Sequence, residues 1–238
     1  MSQGQPSHDA LRRSATHVLL DESAGELDAL EIALPSDLEH HLGRVLRLAD
    51  GDAVSATDGA GRWVKTTWQP ASASLRVVGE VITSERRRPL TIATAMPKGD
   101  RLDQLVQKSV ELGVARIVLL HAERSVVRWK PERAEKQRIR LQRIADEAVR
   151  QSRRLWRVPI AGPVDARTVL PEAVVAEPDG APLTGEESMV AIGPEGGWTS
   201  AELDAAAGTV GLGSGILRVE TAAIAVCALR MANGHAAL

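Results

Sequence analysis

Phenylalanine and tyrosine are absent from all 238 residues, and five tryptophans make up the whole aromatic complement. A sheet that stacks RNA bases on surface rings, in the manner of an RNA-recognition motif, therefore has no material here. Stacking is left to tryptophan, histidine and the guanidinium planes of arginine. Cysteine occurs once, at Cys227, which excludes an internal disulfide and a paired-cysteine metal knuckle. No cluster of metal ligands stands out in the sequence, so no metal is expected. Long apolar runs are missing too. None approaches the roughly 18–20 residues that cross a bilayer, and MSQGQPSHDALRRSATHVLL has no signal-peptide core. The expectation is a protein of the reducing cytoplasm with no membrane partner. Neither GxxxxGK[ST] nor GxGxxG occurs, which speaks against a generic nucleotide-binding domain.

The charge that is present is unevenly distributed. The net charge is −2, yet Arg116–Arg157 holds 11 arginines and 2 lysines against 5 acidic residues. That segment carries +8, so the remainder carries −10. An asymmetry of this size is consistent with a phosphate-binding footprint, and equally with a solvated helix face. Arg140, Arg143, Glu147, Arg150 and Arg154 fall near one face of a helix, with Leu141, Ile144 and Ala148 opposite.

The hydrophobic rhythm changes along the chain. Residues 1–14 read as a polar, disordered lead-in. Short strand-like runs come next, at Thr16–Asp21, Ala53–Asp58, Arg62–Trp68 and Leu75–Ile82. Asp58–Gly61 reads as a hairpin loop. One helix interrupts them, DLEHHLGRVLR, with Leu38, Leu42, Val45 and Leu46 on one face. These pieces predict a small β-barrel domain over 1–83. SERRRP, at 84–89, reads as a linker. From Leu90, strands and helices alternate: LTIATAM, a helix capped by Asp100, ARIVLLHA, a long helix opened by Pro131, further short strands, and SMVAIGPEGG. Alternation predicts a mostly parallel α/β sheet over 90–238.

Two glycine-rich segments carry the chemical signal. IGPEGGW runs from an apolar strand into a helix expected from Ser200. Glycines at that end of a strand let backbone N–H groups approach a ligand, and the helix start adds donors. Alone, the segment is equally a tight strand-to-helix turn. LGSGILRVETA repeats the theme, with GILRV as a last short strand, and presents Arg218, Glu220 and Thr221 before a helix of small residues. Those three are, taken alone, an ion pair and an N-cap. Two such loops, each with an ionisable group, make a ligand site the better reading.

GPEGGW followed by LGSGILRVETA resembles the signature of the RsmE family, the uridine-N3 methyltransferases of small-subunit ribosomal RNA in the SPOUT superfamily. HHLGRVLRLADGD, MPKGDRLDQLVQKSVELGV, ERSV and EAVRQSRR resemble further blocks of that family in the same order, over nearly the whole chain. The resemblance implies an α/β-knot domain with a deep trefoil and a PUA-like N-terminal domain. It also implies a homodimer and 16S ribosomal RNA within the small subunit as substrate, with S-adenosylmethionine as cofactor. Ala176, Glu177, Ile192, Gly193, Gly196, Gly197, Leu212, Gly213, Ile216 and Leu217 would hold the cofactor, largely by main chain. Gly215 stands where many members carry arginine or another polar residue.

Uracil N3 is protonated and a poor nucleophile. The proton must leave; a nearby carboxylate can take it, and a cation can stabilise the charge left on O2 and O4. Arg218 is the expected stabiliser, and Glu220 and Glu195 are the candidate bases. Both carboxylates are also candidates for holding loops only. Arg12, Arg13, Lys98, Arg124, Arg143, Arg150 and Arg154 are the expected RNA contacts. A SPOUT enzyme acting on another RNA, such as transfer RNA, would share the cofactor loops. A non-catalytic assembly protein would lack turnover.

Overall fold

A computed structural model describes residues 8–21, 24–86 and 88–232. The chain divides into two compact units. One comprises Met1–Glu85 with Val149–Arg157, the other Arg86–Ala148 with Val158–Ala237. The division between Glu85 and Arg86 falls inside the expected linker. Residues 149–157, placed in the second domain on sequence, count with the first unit.

In the first unit, α1 (His8–Arg13) and β1 (Thr16–Leu19) lead to β2 (Glu31–Ala33), α2 (Ser36–His40), β3 (Ala53–Thr57), β4 (Arg62–Gln69), β5 (Ser74–Val77) and β6 (Ile82–Thr83). The sheet order is β1-β3-β4-β5-β2, with β6 beside β4. β3 and β4 pair antiparallel around the expected hairpin loop. Alternate residues of β4 face opposite sides. Val64 and Trp68 enter the main core with Val18, Ile32, Leu42 and Leu75. Trp63, on the other side, packs with Leu11 and Leu155. The predicted lead-in is thus ordered from His8 onward, because Leu11 covers a tryptophan. Residues 1–7 lie outside the described part.

The helix DLEHHLGRVLR departs from expectation at its end. Leu38 and Leu42 are buried, but Val45 is 59 % and Leu46 40 % exposed. His41–Val45 forms a π-turn, closed by Leu46 N–H donating to the His41 carbonyl at 2.9 Å. A π-turn adds a residue to the turn and rotates the next side chains off the apolar face.

In the second unit, β7 (Thr91–Ala95), α3 (Arg101–Glu111), β8 (Arg116–His121), α4 (Pro131–Ser152), β9 (Ile160–Asp165), β10 (Val174–Pro182), β11 (Met189–Ile192), α5 (Ser200–Ala205), β12 (Gly208–Gly211) and α6 (Val219–Ala232) succeed one another. The sheet order is β12-β10-β11-β7-β8-β9, and every pairing is parallel. β7, β8 and β11 are buried almost throughout, as strands covered on both faces must be. α6 packs on α3. Asp100 stands at the cap of α3, but its side chain caps nothing. The expected strand GILRV is not a strand. Gly208–Gly211 forms β12 instead, and Ile216 is 93 % exposed. Gly213, at φ 121°, turns the chain out of the sheet before GILRV begins.

Residues 149–157 are fastened into the first unit by polar groups. Arg153 has φ 56°, so the chain leaves the helical path there. Its guanidinium donates to the Leu11 carbonyl, Ser14 Oγ and the Ser14 carbonyl. His17 Nε2 lies 3.0 Å from the Arg154 carbonyl, which only accepts, so Nε2 carries the proton. His17 Nδ1 then accepts from Ser55 Oγ at 2.8 Å. Thr57 Oγ1 donates to the Leu155 carbonyl at 3.1 Å.

Candidate active site

Ligands of open α/β sheets bind beyond the carboxyl ends of the strands. At that edge of the second unit, β10 is interrupted. Its register on β12 jumps from Ala176↔Val210 to Ala181↔Val210, so Glu177–Gly180 bulges out. β11 delivers Gly193–Trp198, and Trp198 folds back beneath Gly193. A Cβ at Gly193 would meet the indole nitrogen at 2.9 Å, so a side chain there would have to displace the indole. The far side of this loop is pinned. Thr199 and Glu202 form a capping box at α5, and buried Glu202 also accepts the Glu123 N–H at 2.8 Å. Arg124 Nη1 donates to the Gly196 and Trp198 carbonyls, each at 3.1 Å.

The bulge, the loop after β11 and the loop after β12 enclose one cavity of about 370 Å³. Its wall includes Ala176, Glu177, Ile192, Gly193, Gly197, Leu212, Gly213, Ile216 and Leu217. Those are nine of the ten residues expected to hold a cofactor. The tenth, Gly196, faces Arg124 instead: a Cβ added at Gly196 would stand 3.2 Å from the Arg124 Cβ. Trp198 and Pro178 also line the cavity. Burial, and after it the charge of Asp179, hold the Glu177 carboxyl above the usual carboxylate range.

Glu195 and Arg218 stand at the cavity wall. Glu220 opens α6 with its side chain only 10 % exposed, and its Oε2 has no hydrogen-bond partner. Between the carboxylates lies a residue that sequence reasoning missed. Arg101 Nη1 is 3.5 Å from Glu195 Oε1 and 4.0 Å from Glu220 Oε2. Its signal was faint, a basic residue directly after KGD at the first position of α3, indistinguishable from an ordinary first-turn side chain.

An RNA methyltransferase domain is matched over residues 84–231, and an RNA methyltransferase PUA domain over 37–67. The chain is 31 % identical to the ribosomal RNA small subunit methyltransferase E of Bacillus subtilis, over 82 % of this chain and 87 % of that one. It is 31 % identical to the enzyme of the same name from Synechocystis, over 77 % of this chain and 67 % of that one. A solved ribosomal RNA small subunit methyltransferase E from Neisseria gonorrhoeae, bound to S-adenosylmethionine, superposes with a TM-score of 0.75 at 28 % identity, covering 91 % of this chain and 96 % of that chain. The chain belongs to the ribosomal RNA small subunit methyltransferase E family. Its architecture is accordingly the SPOUT fold with a PUA-like N-terminal domain.

The arginines expected to contact RNA are scattered within this family member. Arg12 and Arg13 are exposed on α1, Lys98 is exposed before α3, and Arg143 is exposed on α4. Arg150 is half-buried. Arg124 is exposed, but its guanidinium is spent on the loop carbonyls described above. Arg154 does not continue the stripe. α4 ends at Ser152, the chain turns at Arg153, and Arg154 is only 6 % exposed. Arg140 is held in a bidentate pair with Asp103 at 2.5 and 2.8 Å. Among the described residues no group of His, Cys, Asp and Glu has the geometry to hold a metal ion, and no helix is long and apolar enough to cross a membrane.

Proposed function

We propose that this RNA methyltransferase moves a methyl group from S-adenosylmethionine to N3 of a decoding-region uridine in 16S ribosomal RNA, acting as a homodimer on the small subunit. The observation that carries the reading is the convergence of three strand-end loops on one cavity with carboxylates and an arginine at its wall. The cavity suits that cofactor. Ile192, Leu212, Ile216 and Leu217 make an apolar slot for a purine, and Glu177 is a partner for ribose hydroxyls or an ammonium. At Gly197, Gly213 and Gly215 nothing lies within 4 Å of where a Cβ would stand, so main-chain groups are open to a ligand.

When bound, S-adenosylmethionine supplies an electrophilic methyl group and needs no covalent catalyst. The chain's own task is placement and charge. Glu220 or Glu195 accepts the N3 proton, and Arg218 stabilises the charge left on O2 and O4. N3 lies on the Watson–Crick edge, so the target base must be unpaired when it enters. Lys98, Arg143 and the arginines of α1 supply cations for phosphates. Leu229 and Met231 of α6 are exposed apolar side chains that a second copy would cover.

Calorimetry with S-adenosylmethionine, followed by methylation of small ribosomal subunits and mapping of the modified base, tests the reading. Saturable binding and a methyl group at uracil N3 are expected. A folded protein that binds no cofactor overturns it, and modification of transfer RNA alone redirects the substrate.

A further inference from the structure

We infer that Arg101 is a positioning residue of the transfer site, one guanidinium that ties Glu195 at the cavity wall to Glu220 on the first turn of α6, next to the lining residue Val219. The inference rests on the proposed methyl transfer. Glu195 belongs to the loop after β11 and Glu220 to the first turn of α6. Arg101 is the group that approaches both, at 3.5 and 4.0 Å. It is aimed there by its own Nε, which donates to the Lys98 carbonyl at 3.1 Å.

The distances distinguish this contact from a structural ion pair. Arg140 and Asp103, nearby on α4 and α3, meet in two short hydrogen bonds of 2.5 and 2.8 Å. Arg101 makes no such bond to either carboxylate. It is poised between them, and Glu220 Oε2 is left without a hydrogen bond although it is buried. A buried carboxylate with one distant cation is costly unless something else uses it. Catalytic contacts are often long before substrate arrives and tighten in the complex. The charge arithmetic points the same way. A carboxylate at the wall of a site for a polyanion repels the substrate, and Arg101 offsets that of Glu195 without filling the cavity. Arg218 then remains for the charge that develops on the base.

The test compares wild type, Arg101→Lys and Arg101→Ala. The readouts are kcat on small ribosomal subunits and the Kd for S-adenosylmethionine by calorimetry. Arg101→Ala is expected to lower kcat by about 100-fold, the scale of losing one preorganised electrostatic group, while the cofactor Kd moves less than about 3-fold. Arg101→Lys keeps the charge and is expected to recover at least about a tenth of wild-type kcat. A merely structural arginine would not be rescued by charge. Arg101→Ala at wild-type kcat overturns the inference, as does a cofactor Kd that weakens in proportion to kcat. Should the alanine variant fail to fold, Arg101→Gln and the Arg101→Gln/Glu195→Gln pair replace it. Strictly additive losses there also overturn the inference. A wild type that transfers no methyl group sinks the proposed function and this inference together. Normal wild-type transfer beside an unaffected variant sinks this inference alone.

Discussion

Two polar regions of this protein are built on opposite rules. The seam that fastens residues 149–157 into the first unit is dense with bonds. His17 uses both ring nitrogens, Arg153 makes three contacts, and Ser14, Ser55 and Thr57 all have partners. The cavity edge in the second unit is sparse. Glu220 Oε2 and Trp198 Nε1 are buried without hydrogen bonds, and Arg101 reaches two carboxylates only at ion-pair distance. Buried polar groups are nearly always satisfied. Where most of them are, as in the seam, they specify a structure. Where they are not, as at the cavity, unused bonding capacity is available to a ligand.

The comparison breaks most visibly at Arg218. It lines the cavity, and its loss is expected to lower kcat by about 10²–10³-fold with little change in cofactor Kd. Full turnover by Arg218→Ala would remove it from the chemistry.

The seam is expected to fail in acid instead. Burial, against the hydrogen bond to the Arg154 carbonyl and with help from the charge of Arg153, lowers the His17 pKa from 6.5 to about 4. Unfolded His17 takes up its proton near 6.5, and the folded form only near 4. The unfolded chain binds more protons in that window, so stability declines as pH falls through it. The decline amounts to about 3 kcal/mol and does not grow below the folded pKa. Denaturant titrations of wild type and His17→Gln at about pH 7 and about pH 4, chosen to bracket the shift, isolate it. Parallel losses in the two proteins would refute it.

A smaller effect is expected at Gly193. An alanine there brings a methyl group to 2.9 Å from the Trp198 indole, an overpacking worth about 1–3 kcal/mol. Part of it should appear as weaker cofactor binding, read by calorimetry, since Trp198 lines the cavity. Unchanged affinity and melting temperature would show that the indole moves aside freely.

The smallest effect sharpens the division between surface and seam. Arg143→Ala should leave stability alone and reduce the salt dependence of RNA binding by about one unit of slope. Arg154→Ala should destabilise the first unit and leave that slope unchanged. A reversal of the two would return Arg154 to the RNA-binding face.

Much of the cavity was legible in advance. Glycine at 213 reports a left-handed backbone, and glycine at 193 the indole of Trp198 five residues on, so both constraints are written locally. The alternation of strand and helix was legible for the same reason, since one buried strand face and one amphipathic helix each leave their own period. Arg154 was misread because extending a helical face assumes the helix continues, and Arg153 ends it. Val45 and Leu46 were misread because a π-turn leaves no local mark. GILRV reads as a strand because an apolar run looks alike whether it faces a core or a cavity.

The amino-acid sequence by itself determined the elements, the parallel character of the second sheet and the glycine loops, because these depend on neighbours a few residues away. Only the tertiary structure decided that Arg101 stands between Glu195 and Glu220. Those three residues lie far apart along the chain, and the contact exists because β7, β11 and α6 bring their ends to one edge of one sheet.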